Sequence, residues 1–104
     1  MPEARFSRSA QADLLNIASY TLKTWGAAQA ERYLGALEQC ARLLAANPAL
    51  GRKCNWIRPG LYRFEIEQHV LFYRPAEGGI LVSRILHRSM LPEDKAFEDP
   101  APEN

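Results

Sequence analysis

A single glycine separates two stretches of helical periodicity in this 104-residue chain, and it constrains the fold more than any other residue. Gly26 predicts the end of one helix because glycine takes a left-handed cap at little cost. Since the second periodic stretch begins at once, the two helices are predicted to form an antiparallel hairpin. The predicted buried stripes are Ala10, Leu14, Ile17, Thr21 and Trp25 in the first helix and Ala30, Tyr33, Leu34, Leu37, Ala41 and Leu44 in the second.

The sequence on either side of the hairpin predicts its limits. Residues 3–6 favour a short first strand, and Ser7 or Ser9 can cap the first helix because a serine oxygen accepts from free N–H groups. The second helix should end near Ala46, because Asn47-Pro48 disfavours further helix. Residues 47–60 then form the main loop, in which Pro59-Gly60 predicts a turn with positive φ at the glycine.

Three β-rich runs follow the loop. Residues 61–67 alternate, with Tyr62, Phe64 and Ile66 predicted to face inward and Arg63 outward. Residues 69–74 are apolar on both faces and predict a central strand. Residues 80–86 form the last run, with Arg84 expected on the face of Val82. The short turns between the runs predict an antiparallel meander, so the fold class is α+β, in the order β-α-α-β-β-β, with the sheet packed on the N-terminal helical hairpin.

Length and composition predict one domain over residues 1–91 and an acidic, proline-containing tail over residues 92–104 that is partly disordered. The net charge is only +1, but residues 52–88 carry seven basic and three acidic side chains. This balance favours an acidic protein partner over nucleic acid, because each phosphate contact needs a cation. No sequence-specific nucleic-acid binding is expected.

Several classes of protein are disfavoured by what the sequence lacks. Cys40 and Cys54 are too few for a disulfide framework and fit no metal-ligand spacing, so neither a metal nor a cofactor is expected. Cys40 falls on the apolar stripe of the second helix, and Cys54 is expected to be a free thiol in the loop. No apolar run is long enough to span a membrane, and no signal peptide is evident, so a cytoplasmic protein is expected.

An ordered series of short motifs resembles the ParE-type toxins of the RelE/ParE superfamily of bacterial toxin–antitoxin systems, over roughly residues 5–91. The motifs are Ser9-Ala10-Gln11-Ala12-Asp13-Leu14, Trp25-Gly26, Gln29-Ala30-Glu31-Arg32-Tyr33, Asn47-Pro48-Ala49-Leu50-Gly51-Arg52, Ile57-Arg58-Pro59-Gly60, Tyr62-Arg63, His69-Val70, Phe72-Tyr73-Arg74 and Arg84-Ile85-Leu86-His87. The resemblance implies the same β-α-α-β-β-β fold. It also implies a growth inhibitor that poisons DNA gyrase without chemistry of its own, silenced by a cognate ParD-like antitoxin in a hetero-oligomeric complex.

Two alternatives stay open at the level of sequence. The superfamily also contains ribosome-dependent mRNA endonucleases of the RelE type, and Arg63, Arg84 and His87 would be the catalytic candidates if this chain were one. Such ribonucleases are more basic and often carry a tyrosine near the end of the last strand, where this chain has Ser89-Met90. A non-enzymatic toxin is therefore favoured, and a non-toxic interaction module is the second alternative.

The predicted partner-binding residues fall into two sets. Leu15 and Leu22 lie off the main helical stripe and predict a groove for an amphipathic antitoxin helix, with burial in the core as the alternative. The second set is polar, and each member could instead serve the fold or be solvated. It comprises Arg58, Arg63, Arg74, Arg84 and His87.

Overall fold

The computed structural model describes residues 1–90, which form two helices and one five-stranded sheet. The elements in chain order are β1 (Glu3–Phe6), α1 (Arg8–Trp25), α2 (Ala27–Ala46), β2 (Arg52–Lys53), β3 (Tyr62–Ile66), β4 (His69–Ala76) and β5 (Gly79–His87), with short 3₁₀ helices at Pro48–Leu50 and Arg88–Met90. The predicted α+β class is confirmed. The tail predicted from residue 92 onward lies outside the described residues.

The helical hairpin forms where the sequence predicts it. Ser7 is the N-cap of α1, and its hydroxyl accepts from the Ala10 N–H at 3.0 Å. Gly26 has φ of 95°, a conformation that side-chain-bearing residues rarely adopt, so one residue suffices to end α1 and start α2. The α2 helix ends at Ala46, as predicted.

The sheet has the strand order β1-β5-β4-β3-β2. Strands β3, β4 and β5 form the predicted antiparallel meander, and β4 is its central strand. Strand β1 pairs in parallel with β5, so the whole sheet is mixed rather than a simple meander. The two-residue strand β2, which the sequence analysis treated as loop, forms the opposite edge.

The helices cover one face of the sheet, and the main core lies between them. Leu37, Leu44 and Ala41 of α2 pack against Tyr73 and Val82, and all five are buried. The predicted inward residues of β3, which are Tyr62, Phe64 and Ile66, pack against the same cluster. Trp25 was predicted to be buried here and is not: its side chain is 69% exposed, because α1 ends at this residue.

The other face of the sheet, called the second face below, is covered in part by the loop between β2 and β3. Cys54, Leu61, Val70, Phe72 and Leu86 form a second, smaller buried cluster there. The sequence left open whether the strand arginines of this face are solvated or bind a partner. Arg63 does leave the sheet on this face, but only 16% of its side chain is exposed. The face is covered because three apolar residues of the loop, Cys54, Ile57 and Leu61, pack onto it. No helix among residues 1–90 is long and apolar enough to cross a membrane.

A β-bulge changes the predicted position of Arg84. Tyr73 pairs with Val82, whereas the preceding residue Phe72 pairs with Arg84, so Ser83 is an extra residue in β5. Because paired residues share a face, Arg84 leaves the sheet with Phe72 on the second face. The prediction that it shares a face with Val82 is wrong, since strict alternation does not anticipate a bulge.

Candidate functional site

An open groove of about 680 Å³ runs between the helical hairpin and one end of the sheet. Its walls and floor are formed by Asn16, Ile17, Tyr20, Thr21 and Trp25 of α1, Gln29 and Tyr33 of α2, and Glu67, Gln68, His69, His87, Ser89 and Met90 from the end of the sheet. Tyr20 and Trp25 stand at the rim with 65% and 69% of their surfaces exposed. Because both are large and aromatic, they offer apolar anchoring area to a ligand that enters the groove.

The floor of the groove is a hydrogen-bonded pair of rings. The Tyr33 hydroxyl lies 2.6 Å from His69 Nδ1 and accepts from the Gln68 N–H at 3.2 Å. The hydroxyl and Nδ1 share one hydrogen bond, whose direction is set by the tautomer of the imidazole. Burial lowers the pKa of His69 to about 4, with the neighbouring His87 adding to the effect and Asp13 opposing it. Burial also raises the pKa of Tyr33. The floor is thus uncharged near neutral pH.

His87 lies beside this pair, with its ring 5.2 Å from that of His69 and nearly perpendicular to it. Its Nδ1 accepts from the Ser89 N–H at 3.0 Å and lies 2.8 Å from the Ser89 hydroxyl. His87 therefore makes local hydrogen bonds at the end of the sheet. His87 is nevertheless part of the groove surface, so its predicted contact with a partner stays a prediction.

A row of arginines crosses the second face. The strand register places Arg52, Arg63, Phe72 and Arg84 side by side on β2, β3, β4 and β5. The Arg63 guanidinium lies 5.9 Å from the centre of the Phe72 ring, within the range of a cation–π contact. The sequence shows arginines on separate strands, and only the register brings them together.

Carboxylates hold these arginines in place. Glu65 accepts from Arg63 at 2.8 Å and from Arg52 at 2.9 Å, and the hydrogen bond from Arg63 is the main reason that the pKa of Glu65 is lowered. Asp13 of α1 accepts from Arg84 at 2.9 and 3.0 Å. Arg63 and Arg84 are therefore engaged within the fold, and their predicted role as partner-facing cations is not the main use that the structure makes of them.

The three residues of the ribonuclease alternative do not form one site. His87 lines the groove, whereas Arg63 and Arg84 leave the sheet on the second face. Both arginines are bound to carboxylates, which would have to release them before they could neutralise a phosphate. Arg63 lies on the other side of the sheet from His87 and cannot act on the same bond, and the Arg84 guanidinium is held by Asp13 of α1. Among residues 1–90, no group of three His, Cys, Asp or Glu side chains is arranged to hold a metal ion.

The remaining predicted residues lie in other places. Leu15 and Leu22 are 72% and 52% exposed, which excludes burial in the core, but neither lines the groove. They face outward on the other side of α1. Arg58 lies in the loop that covers the second face, and Arg74 leaves β4 on that same face, two residues after Phe72. Both arginines are partly exposed.

Sequence reasoning missed two features. The first is the Tyr33–His69 pair, because residues 36 positions apart gave no signal of contact. The second is Trp56, which is 71% exposed in the loop over the second face. Its sequence context contained a signal, since a tryptophan in a turn-rich segment with Arg52, Lys53 and Arg58 has no helical or strand stripe to join.

Comparison with known proteins gives one consistent family. The family model for the ParE toxin of the type II toxin–antitoxin system parDE matches residues 4–92. The chain is 46% identical over 85 residues to toxin ParE1 of Mycobacterium tuberculosis (strain ATCC 25618 / H37Rv), which covers 81% of this chain and 87% of that protein. It is 36% identical over 90 residues to toxin ParE1 of Caulobacter vibrioides, covering 86% of this chain and 93% of that one.

A solved structure described as the chromosomal ParDE system from P. aeruginosa superposes with a TM-score of 0.70. The match covers 84% of this chain and 96% of that chain at 23% sequence identity, so it supports the fold alone.

Proposed function

The chain belongs to the ParE toxins of type II toxin–antitoxin systems, and from this premise we propose that it stops growth by poisoning DNA gyrase until a cognate ParD-like antitoxin neutralises it. ParE toxins are not enzymes, and the relatives of this chain are named toxins rather than nucleases. The action proposed here is stabilisation of gyrase on cleaved DNA in the cytoplasm. The observation that carries the proposal is the family match, which extends over residues 4–92.

The geometry supports a binding role over a catalytic one. A metal-free ribonuclease needs a proton-transferring group and phosphate-binding cations around one scissile bond. Here Arg63 lies on the other side of the sheet from His87, the Arg84 guanidinium is held by Asp13 of α1, and His69 is kept neutral with its Nδ1 beside the Tyr33 hydroxyl. Such a set can bind a partner but is not assembled for RNA cleavage.

The groove is the best supported site for the antitoxin. Its length along α1 suits an amphipathic helix, whose apolar side chains would pack between Trp25, Tyr20 and the neutral floor. The exposed pair Leu15 and Leu22 would then contact a further part of the antitoxin on the outer side of α1. The complex would be hetero-oligomeric, with the antitoxin covering two sides of the hairpin.

The test uses the purified chain with gyrase and supercoiled plasmid. Toxin action should produce linear DNA that remains covalently attached to gyrase after detergent treatment, and added antitoxin should suppress it. In growing cells, induction without antitoxin should cause filamentation and a DNA-damage response. Cleavage of ribosome-bound mRNA with no gyrase-linked DNA would establish the ribonuclease alternative. Binding to antitoxin with no effect on growth would establish the interaction module.

A further inference from the structure

Trp56 is a large aromatic side chain that the fold does not use. It lies in the loop between β2 and β3, where its neighbours Cys54 and Ile57 pack onto the second face. Trp56 itself is 71% exposed. Because the loop backbone is anchored on both sides of Trp56, less backbone entropy is lost when a partner binds the indole.

The surroundings of Trp56 are cationic. Between Glu38 and Glu65 the sequence has five basic side chains and no acidic one: Arg42, Arg52, Lys53, Arg58 and Arg63. Arg52 keeps 70% of its side chain exposed although it is paired with Glu65, and Lys53 is exposed beside it. We call Trp56, Arg52, Arg58 and Arg74 the loop face.

The loop face and the groove lie on opposite sides of the sheet. The groove is built on the helix side, whereas the loop packs on Val70, Phe72 and Leu86 of the second face. A helix that occupies the groove therefore leaves the loop face open. The two surfaces also differ in chemistry, since the floor of the groove is aromatic and neutral and the loop face is cationic around one indole.

We propose that the loop face binds the target of the toxin, an acidic protein surface with an apolar pocket for Trp56, while the groove binds the antitoxin. The inference rests on the proposed function and names gyrase as that target. Tryptophan and arginine are the residues most often found to dominate the energy of protein interfaces. A positive surface also speeds encounter with a negative one.

The charges favour a protein over nucleic acid as the occupant. Glu65 neutralises part of the positive charge at the centre of the second face, through contacts of 2.8 Å with Arg63 and 2.9 Å with Arg52. A surface for phosphates would be weakened by a carboxylate in its middle, because each contact depends on an uncompensated cation. A protein surface tolerates such mixed charge.

The decisive variant is Trp56→Ala, with Trp56→Phe as the conservative change and Leu43→Ala as the control. Leu43 is 49% exposed on α2 and lies outside both surfaces. Affinities of each purified variant are measured for immobilised gyrase, for the antitoxin and for a DNA duplex alone. W56A should bind gyrase about 30-fold more weakly, as expected for an interface hot spot. W56F should recover part of that loss, and antitoxin affinity should stay within about twofold, which also shows that the variant is folded.

Several results would overturn the proposal. Equal gyrase binding by W56A and wild type would show that the loop face is not the target surface. Loss of antitoxin affinity in W56A would assign the face to the antitoxin. Loss of affinity for the duplex alone would assign it to nucleic acid. If wild-type toxin does not bind gyrase at all, the proposed function itself fails, and that result is distinct from an effect confined to W56A.

Discussion

His69 is the residue whose ionisation the fold controls most strongly. Its Nδ1 lies 2.6 Å from the Tyr33 hydroxyl, and burial lowers its pKa to about 4. The free energy of unfolding should therefore fall as the pH drops below about 6.5, since the unfolded chain then takes up a proton that the folded chain refuses.

The predicted loss between pH 7 and pH 5 is about 1–2 kcal/mol, reduced from the full pKa difference because the ring is partly exposed. Denaturant unfolding at the two pH values measures it, and His69→Asn should remove most of the difference. His87→Asn is the matched control and should retain most of it, because burial lowers the pKa of His69 more than His87 does. An unchanged pH dependence in H69N would show that His69 is not held neutral.

Asp13 shows how one residue can escape prediction from sequence. Near the start of α1, a carboxylate is expected to favour the positive end of the helix. Instead its Oδ2 accepts from the Ile85 N–H at 2.8 Å and from Arg84 at 2.9 Å. Strand β1 ends opposite Val82, so Asp13 supplies the acceptor that β5 lacks beyond that point. These hydrogen bonds depend on how α1 crosses the edge of the sheet, and the periodicity of the sequence does not predict that crossing.

At the scale of elements, the local rules predicted most of the fold. The spacing of apolar residues predicted both helices, and Gly26 predicted the junction between them. The alternation of residues in β3 predicted which side chains face inward. The features that the sequence did not predict depend on contacts between distant segments. The parallel pairing of β1 with β5, the bulge at Ser83 and the loop over the second face all arise from tertiary packing, which propensity and period do not encode.

The α1 helix exposes two different apolar surfaces, and substitution can show which of them the antitoxin uses more. Trp25→Ala removes an aromatic anchor at the rim of the groove, and Leu15→Ala removes an exposed leucine on the outer side. We expect W25A to weaken antitoxin binding by about 2 kcal/mol and L15A by less than 1 kcal/mol, because hot spots are enriched in tryptophan and depleted in leucine.

Calorimetric titration of each variant with the antitoxin measures the difference. Both side chains are mostly exposed, so the thermal midpoint should change little in either variant. A larger effect at Leu15 than at Trp25 would place the main contact on the outer side of α1. It would also remove the groove as the principal antitoxin site.

At the scale of the whole molecule, one sheet separates two surfaces of opposite chemical character. The groove is lined largely by aromatic and neutral side chains, and the loop face carries Arg52, Arg58 and Arg74 around Trp56. Electrostatic attraction between exposed charges is screened by salt, whereas apolar burial is not weakened by it. The two complexes should therefore respond differently to ionic strength.

The expected result is that gyrase binding weakens about tenfold between 50 and 300 mM salt, through a slower association rate, while antitoxin binding changes by less than about threefold. Surface plasmon resonance on wild-type toxin separates the two rates, and Arg52→Gln should flatten the salt response of the gyrase complex alone. Equal salt responses in the two complexes would mean that both partners meet the same kind of surface. The proposal that gyrase and the antitoxin bind opposite sides of the sheet would then be wrong, even if each partner binds as tightly as proposed.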